Sequence, residues 1–351
     1  KTAYEIYQCD WSSDVCSSDL PSWVGDAVLT QPLFARLKAR HPASQLDVLA
    51  PAWTHALFSR MPEVSEVITN PFAHGEFAPG KRYRLARELR RKAYDQAIVL
   101  PNSWKSALVP WLTGIPQRTG YVGEARFGLV NDARRLDKQA LPLMVERFAW
   151  LAEPADRTLP RPLPPPKLAV DISSRAAALE RLKLSTTQPV AVLCHGAEYG
   201  PAKRWPAEYF AELGRKLNAE GFTVWLAGSG NDSAAGDAIA RLSDNVCINL
   251  AGKTTLAEAI DLMSCAALVI SNDSGLMHIA AALGKPLVAL FGSSSPAFTP
   301  PVADNAAIVR LELPCSPCFE RECPLGHFKC MRELTPALVW QRIDFNGVKT
   351  P

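Results

Sequence analysis

The stretch SNDSGLMHIAAALGKP (residues 271–286) puts a carboxylate, a hydroxyl, a glycine and an imidazole into one turn of chain: Asp273, Ser274, Gly275 and His278. An apolar run that reads as a strand ends at Ile270, and a helical pattern runs from about Leu276 to Leu283. The free amides and the dipole at such a helix start form an anion site well suited to a diphosphate. Gly275 would let phosphates approach the backbone, and His278 would lie about one turn into the helix on the same side. A simpler reading has Asp273 and Ser274 capping the helix and His278 as a half-buried structural histidine. That reading suffices for any one of the four; the four together point to a ligand site.

A second loop, HGAEYGPAKRWP (residues 195–206), follows another apolar run and carries Lys203 and Arg204 just ahead of Trp205-Pro206. Pro206 suits the opening position of the next helix. A lysine there could neutralise the phosphate of a departing nucleotide, and a solvated basic turn is the bland alternative. GSGNDSAAG (residues 228–236) has the wrong spacing for the dinucleotide fingerprint G-x-G-x-x-G, so it reads as an ordinary strand-to-helix turn.

These loops need a frame that aims them at one place. Short apolar, β-branched runs alternate with helical patterns: QLDVLAP, EVIT and QAIVLP in the first half, PVAVLCHGA, FTVWLAGSG, ALVISNDSG and PLVALFGSS in the second. Apolar strands alternating with helices imply parallel sheets covered on both faces. Between the halves, TLPRPLPPPKL (residues 158–168) reads as a stiff linker, because proline fixes φ and lacks the amide donor. The expected fold class is therefore α/β, with two Rossmann-like doubly wound parallel-sheet domains at 21–163 and 164–333. Residues 334–351 are expected to form a helix that packs back toward the first domain. Ligands of such sheets bind beyond the carboxyl ends of the strands, where the two loops lie.

Bulk properties agree with this frame. The 351 residues suit two domains, and 48% hydrophobic side chains can fill two cores. No apolar run approaches the ~20 residues of a membrane-spanning helix. The first twenty residues stand apart. KTAYEIYQCDWSSDVCSSDL lacks the basic-then-apolar order of a secretory signal. DWSSDVCSSDL back-translates without a gap to a common short-read sequencing adapter, and KTAYEI to its other arm. Residues 1–20 are accordingly expected to be a non-native scar, with the protein's own chain beginning at about Pro21 and its first strand missing. Lys1 to about Asp14 should then make few contacts, while residues 15–20 are drawn into the vacated strand position. Without Lys1, Glu5, Asp10, Asp14 and Asp19, the 38 basic and 35 acidic side chains become 37 and 31, and the net charge rises from +3 to +6. That modest surplus of base suits an acidic partner.

Long motifs carry a family resemblance. WVGD near the start, PNSWKSALVPWLTGIPQRTGY, HGAEYGPAKRWP and NDSGLMHIAAALGKPLVALFG resemble the ADP-heptose:lipopolysaccharide heptosyltransferases (glycosyltransferase family 9) from Pro21 to about Thr335. The closest likeness is to the branch that adds heptose to an inner-core heptose. The resemblance implies a GT-B fold, two Rossmann-like domains facing across a cleft. The acceptor binds on the N-terminal side and ADP-heptose on the C-terminal side. It implies inverting, metal-independent transfer to a lipopolysaccharide precursor, in the cytoplasm at the inner face of the inner membrane. Asp26 matches the proposed catalytic base, or serves as an N-cap before a helix over residues 27–38. Asp26 and Lys203 are thus the catalytic candidates. Lys203, Arg204, Asp273, Ser274, Gly275 and His278 are the donor-binding ones, and Gly25, Asn102, Lys105 and Arg118 the acceptor-binding ones. Another branch of the family, a nucleotide-sugar epimerase on the same fold, and a non-catalytic nucleotide-sugar binder are the alternatives.

Two features bear on partners. Lys81, Arg82, Arg84, Arg87, Arg90, Arg91 and Lys92 crowd one predicted helix, with Lys105, Arg118 and Arg126 later in the same domain. Such charge fits an acidic lipid A–core acceptor and a membrane surface, or merely a solvated face; no nucleic-acid module is recognisable. CSPCFERECPLGHFKC places Cys315, Cys318, Cys323 and Cys330 at a spacing that suits zinc, an iron–sulfur cluster or reduced packing cysteines. Disulfides are disfavoured in a reducing cytoplasm. The chemistry itself calls for no cofactor, since ADP-heptose is a substrate. A metal at these cysteines would be structural.

Overall fold

The computed structural model describes residues 2–5, 24–73 and 76–345. The chain forms two compact units, Lys1–Pro164 and Pro165–Pro351, and the division falls inside the proline-rich segment. Proline's fixed φ and missing donor keep that segment out of either sheet.

The first unit carries β1 (Thr2–Glu5), β2 (Leu46–Pro51), β3 (Glu66–Asn70), β4 (Gln96–Val99), β5 (Gln117–Tyr121) and β6 (Asp132–Arg134). They form one sheet in the order 3-2-1-4-5-6, all neighbours parallel. The second unit carries β7 (Val190–Cys194), β8 (Thr223–Ala227), β9 (Cys247–Asn249), β10 (Ala266–Asn272), β11 (Leu287–Phe291) and β12 (Ala306–Arg310). Its order, 12-11-10-7-8-9, is the same winding repeated, again with all neighbours parallel. In such a sheet the strand order reverses between β1 and β4, and between β7 and β10. The loops leaving those strands diverge there and open a crevice at their carboxyl ends.

The central strands are apolar throughout because helices cover both faces. β7 and β11 are buried at every residue. Helix Ala207–Ala219 lays Phe210, Leu213 and Leu217 onto Leu193, Val224 and Leu226, the i, i+3, i+7 stripe of an amphipathic helix. Gly214 in that helix is required by close approach, since a Cβ there would sit 2.2 Å from Cys247 Sγ. In the first unit, Leu85, Ala86 and Leu89 of helix Pro79–Leu89 pack on Leu49, Ala97 and Val109.

Two sequence expectations change. The central position of the first sheet is occupied by Thr2–Glu5, paired on both sides with β2 and β4, so Lys1 to Asp14 is not a contact-poor stretch throughout. A gap there would strand the ladder groups of both neighbours. Residues 15–20 lie outside the described residues. The helix expected over residues 27–38 is two helices, Val24–Leu29 and Gln31–Arg40, divided at Thr30. Pro32 accounts for the restart, because proline suits a helix's first turn, whereas in a helix interior it removes an amide donor and crowds the carbonyl four residues back. Helix Pro336–Trp340, in the segment expected to pack toward the first domain, is part of the second unit. Val339 and the following Ile343 are buried in the second unit's core with Phe210, Leu217 and Leu334.

Candidate active site

The loops after β7 and β10 meet at the second unit's switch point, and Asn272 ties them together. Its side-chain amide donates to the His195 carbonyl (2.8 Å), and its Oδ1 accepts the Trp205 N–H (3.3 Å). The Trp205 ring, fully buried, fixes the far side by donating Nε1–H to the Leu334 carbonyl (2.6 Å). Between these anchors the chain makes a short 3-10 turn, Pro201–Lys203, which delivers Lys203 to the end of β10.

Lys203 Nζ donates to Asp273 Oδ2 at 2.6 Å, and Ser294 Oγ donates to the same oxygen at 2.5 Å. Burial by itself would raise the Asp273 pKa, but the Lys203 charge and the two hydrogen bonds outweigh it and hold the carboxyl below its usual value. Asp273 is therefore occupied as a counter-ion and is not a helix cap. Ser274 does not cap either: its backbone is extended, its side chain makes no capping bond, and its Oγ lies 3.2 Å from Ser271 Oγ. Helix Gly275–Ala282 thus starts with no side chain on its first-turn amides, which leaves its positive end available to an anion. His278 is buried in that first turn, and its Nδ1 has no partner among the described residues. Burial pushes its pKa down to about 4, against a partial rise from Asp273. It is a neutral imidazole at physiological pH, a hydrogen-bonding group and not a cation.

Arg204, adjacent in sequence, turns elsewhere. Its Nη2 lies 3.8 Å from Asp232 Oδ1 and its Nε donates to the Ala197 carbonyl. Asp232 accepts from the Ser229 N–H and hydroxyl within the turn after β8. Arg204 and Lys203 therefore serve two neighbouring edges of the same crevice.

In the first unit, Gly25 and Asp26 lie in the first turn of helix Val24–Leu29, Gly25 buried and Asp26 half-buried. Asn102 and Lys105 follow β4, the strand beside β1 at that sheet's switch point. The loop after β5 closes on Asn102: the Glu124 N–H donates to its carbonyl (3.2 Å), and Arg126 Nη2 to its Oδ1 (3.2 Å). Arg126 is buried and also donates to the Pro101 and Tyr121 carbonyls, which makes it a clamp on both loops. Arg118 donates to the carbonyls of Leu129 (2.6 Å), Ile115 and Gly128. Its guanidinium shapes the loop after β5 from behind.

Sequence reasoning missed Asn272, Ser294, Tyr199 and Arg321, and gave Arg126 only as part of the first domain's basic charge. The serine run after β11 and the asparagine closing β10 carried a signal, as polar residues at the carboxyl ends of strands. Tyr199 and Arg321 carried none, since only the tertiary fold brings them to Lys203.

The four cysteines are half-buried thiols. Cys323 Sγ accepts the Phe328 N–H at 3.4 Å, a bond that lowers its pKa, while burial and the nearby thiols push Cys330 up to about 11. Among the described residues, no three histidine, cysteine or acidic side chains assemble as a metal site.

Comparison with known proteins bears on the family and the fold. The chain is 47% identical to lipopolysaccharide heptosyltransferase 2 of Salmonella typhimurium over 92% of its own length and 95% of that protein's. It is 46% identical to the Escherichia coli K12 protein of the same name, over 92% and 96%. The solved structure of the E. coli ADP-heptose lps heptosyltransferase II superposes with a TM-score of 0.83, covering 97% of each chain at 42% identity. The two parallel-sheet units are those of a GT-B enzyme. With residues 82–329 also matching the family model, the chain belongs to glycosyltransferase family 9 (heptosyltransferase).

Proposed function

We propose that this glycosyltransferase moves heptose from ADP-L-glycero-D-manno-heptose to the inner-core heptose of a lipopolysaccharide precursor, with inversion and without a metal. The observation that carries the donor half is the uncapped start of helix Gly275–Ala282, flanked by Lys203 and His278. The diphosphate lies on those amides, Lys203 balances the charge that grows on the departing ADP, and neutral His278 donates or accepts a hydrogen bond. Arg204 reaches the nucleotide from the neighbouring edge. Identity near one half to proteins named heptosyltransferase 2 supports the acceptor assignment.

The displacement is direct. An acceptor hydroxyl oxygen attacks the anomeric carbon as the bond to the β-phosphate oxygen breaks. ADP leaves with that electron pair, and the hydroxyl proton passes to the carboxylate of Asp26. Gly25, Asn102 and Lys105 hold the acceptor sugars, with Arg118 behind their loop.

The enzyme works in the cytoplasm, at the inner face of the inner membrane. No described helix is long and apolar enough to cross a membrane; the attachment proposed is peripheral. Arg82, Arg90 and Lys92 are engaged in bonds within the first unit. Arg84, Arg87 and Arg91 recur at i, i+3 and i+7, exposed and without an ion pair among the described residues. That stripe suits anionic lipid. The cysteine segment acts as scaffold. The function is tested by incubating the protein with ADP-heptose and a mono-heptosylated lipid acceptor: ADP and the extended lipid should accumulate together, and neither without acceptor. Hydrolysis of the donor indifferent to the acceptor would refute it.

A further inference from the structure

The cysteine-rich segment is stitched onto the donor loops. Ser316 Oγ donates to the Gly292 carbonyl (2.6 Å), and the Phe319 N–H to the Ser293 carbonyl (2.7 Å). From the other loop, the Tyr199 hydroxyl donates to the Phe319 carbonyl, and the Ala202 N–H to the Arg321 carbonyl (3.0 Å). Gly200 has no room for a side chain there, since a Cβ would lie 2.5 Å from the Arg321 carbonyl oxygen. The backbone of Arg321 is thus fixed against the turn that carries Lys203.

Two cations share one aromatic ring as a result. Lys203 Nζ lies 4.9 Å, and Arg321 Cζ 5.6 Å, from the Tyr199 ring centre. Lys203 is balanced by Asp273. Arg321 has no carboxylate among the described residues, and its Nε and Nη2 are both buried without a hydrogen bond, as are Ser293 Oγ and His278 Nδ1. Guanidinium cannot shed its proton to escape this state, and a buried donor left unpaired is destabilising, more so when charged. A cation fixed there by its backbone, sharing the Tyr199 ring with Lys203, has no anionic partner among the described residues. The geometry points to Arg321 as a second phosphate-binding residue of the donor site, closing with Lys203 on the diphosphate of the nucleotide sugar. It rests on the transferase reading above. The cysteine segment then has a use that needs no metal: it carries this arginine in.

Titration calorimetry of the full chain with ADP, and displacement of ADP by inorganic pyrophosphate or by adenosine, tests the assignment. Arg321→Gln should weaken ADP and pyrophosphate by about 10- to 100-fold and leave adenosine within about twofold. Arg321→Lys keeps the charge without the fork and should fall between; it also carries the test if the glutamine variant does not fold. Equal losses for adenosine and pyrophosphate would mean collapse of the segment and overturn the assignment. ADP binding that is unchanged in the variants would overturn it while leaving the transferase reading standing. An unaltered chain that fails to bind ADP would end both.

Discussion

Lys203 Nζ stands 2.6 Å from Asp273 Oδ2, a contact between residues seventy positions apart that joins the two switch-point loops of the second unit. Both side chains are largely buried. Losing one partner of such a pair strands the other charge, at about 3–5 kcal/mol. Lys203→Ala is therefore expected to lower the melting temperature and to weaken ADP binding and turnover together. The pair Lys203→Met with Asp273→Asn should recover most of the melting temperature and none of the ADP affinity. If the double variant recovers ADP binding as well, the lysine is structural only.

His278 gives the protein a particular acid sensitivity. Its folded pKa is about 4, while a histidine in an unfolded chain titrates near ~6.5. As pH falls through that interval the unfolded state takes up the proton first, so this contribution to stability is full above ~6.5 and lost as pH falls toward the folded value. Asp273, held below the usual carboxylate value, loses its contribution only in stronger acid. Urea midpoints measured from neutral pH downward should therefore fall less steeply in His278→Gln than in the unaltered chain over this window. Parallel curves would show that His278 is not buried and neutral.

The sequence displayed the frame well and the site in part. The central strands announced themselves because both faces are buried, which leaves unbroken apolar runs such as residues 190–194 and 287–291. Three of the four edges did not: β6 and β9 are three residues long, and β12 buries only Val309. Asp273, Ser274, Gly275, His278 and Lys203 were legible as polar residues where a strand meets a helix. Their division of labour was not, because Asp273 looks like a cap until Lys203 is seen bonded to it. Arg118 read as an acceptor-binding residue and Arg126 as part of a basic surface, yet both guanidiniums bind main-chain carbonyls. A positive side chain counted from sequence says nothing about which way it points.

The arginine stripe of helix Pro79–Leu89 and its following turn yields a lipid prediction. Replacing Arg84, Arg87 and Arg91 with glutamine removes three cations worth about 1 kcal/mol each near an anionic surface. Partition onto vesicles containing phosphatidylglycerol should drop by roughly 100-fold and lose most of its salt dependence. Turnover on a detergent-dispersed acceptor should be unchanged. Vesicle binding equal to that of the unaltered chain would place the membrane contact on another face.

Asp26 is the proposed proton acceptor. Asp26→Asn keeps the size and one oxygen of the side chain and removes its basicity. Steady-state ADP release with the lipid acceptor, alongside calorimetric affinity for ADP-heptose on the same preparation, measures both halves at once. Turnover should fall by about 10²–10⁴-fold with donor affinity nearly intact. Near-normal turnover in a folded Asp26→Asn protein would contradict that role, and would make Asp26 a residue of its helix and nothing more.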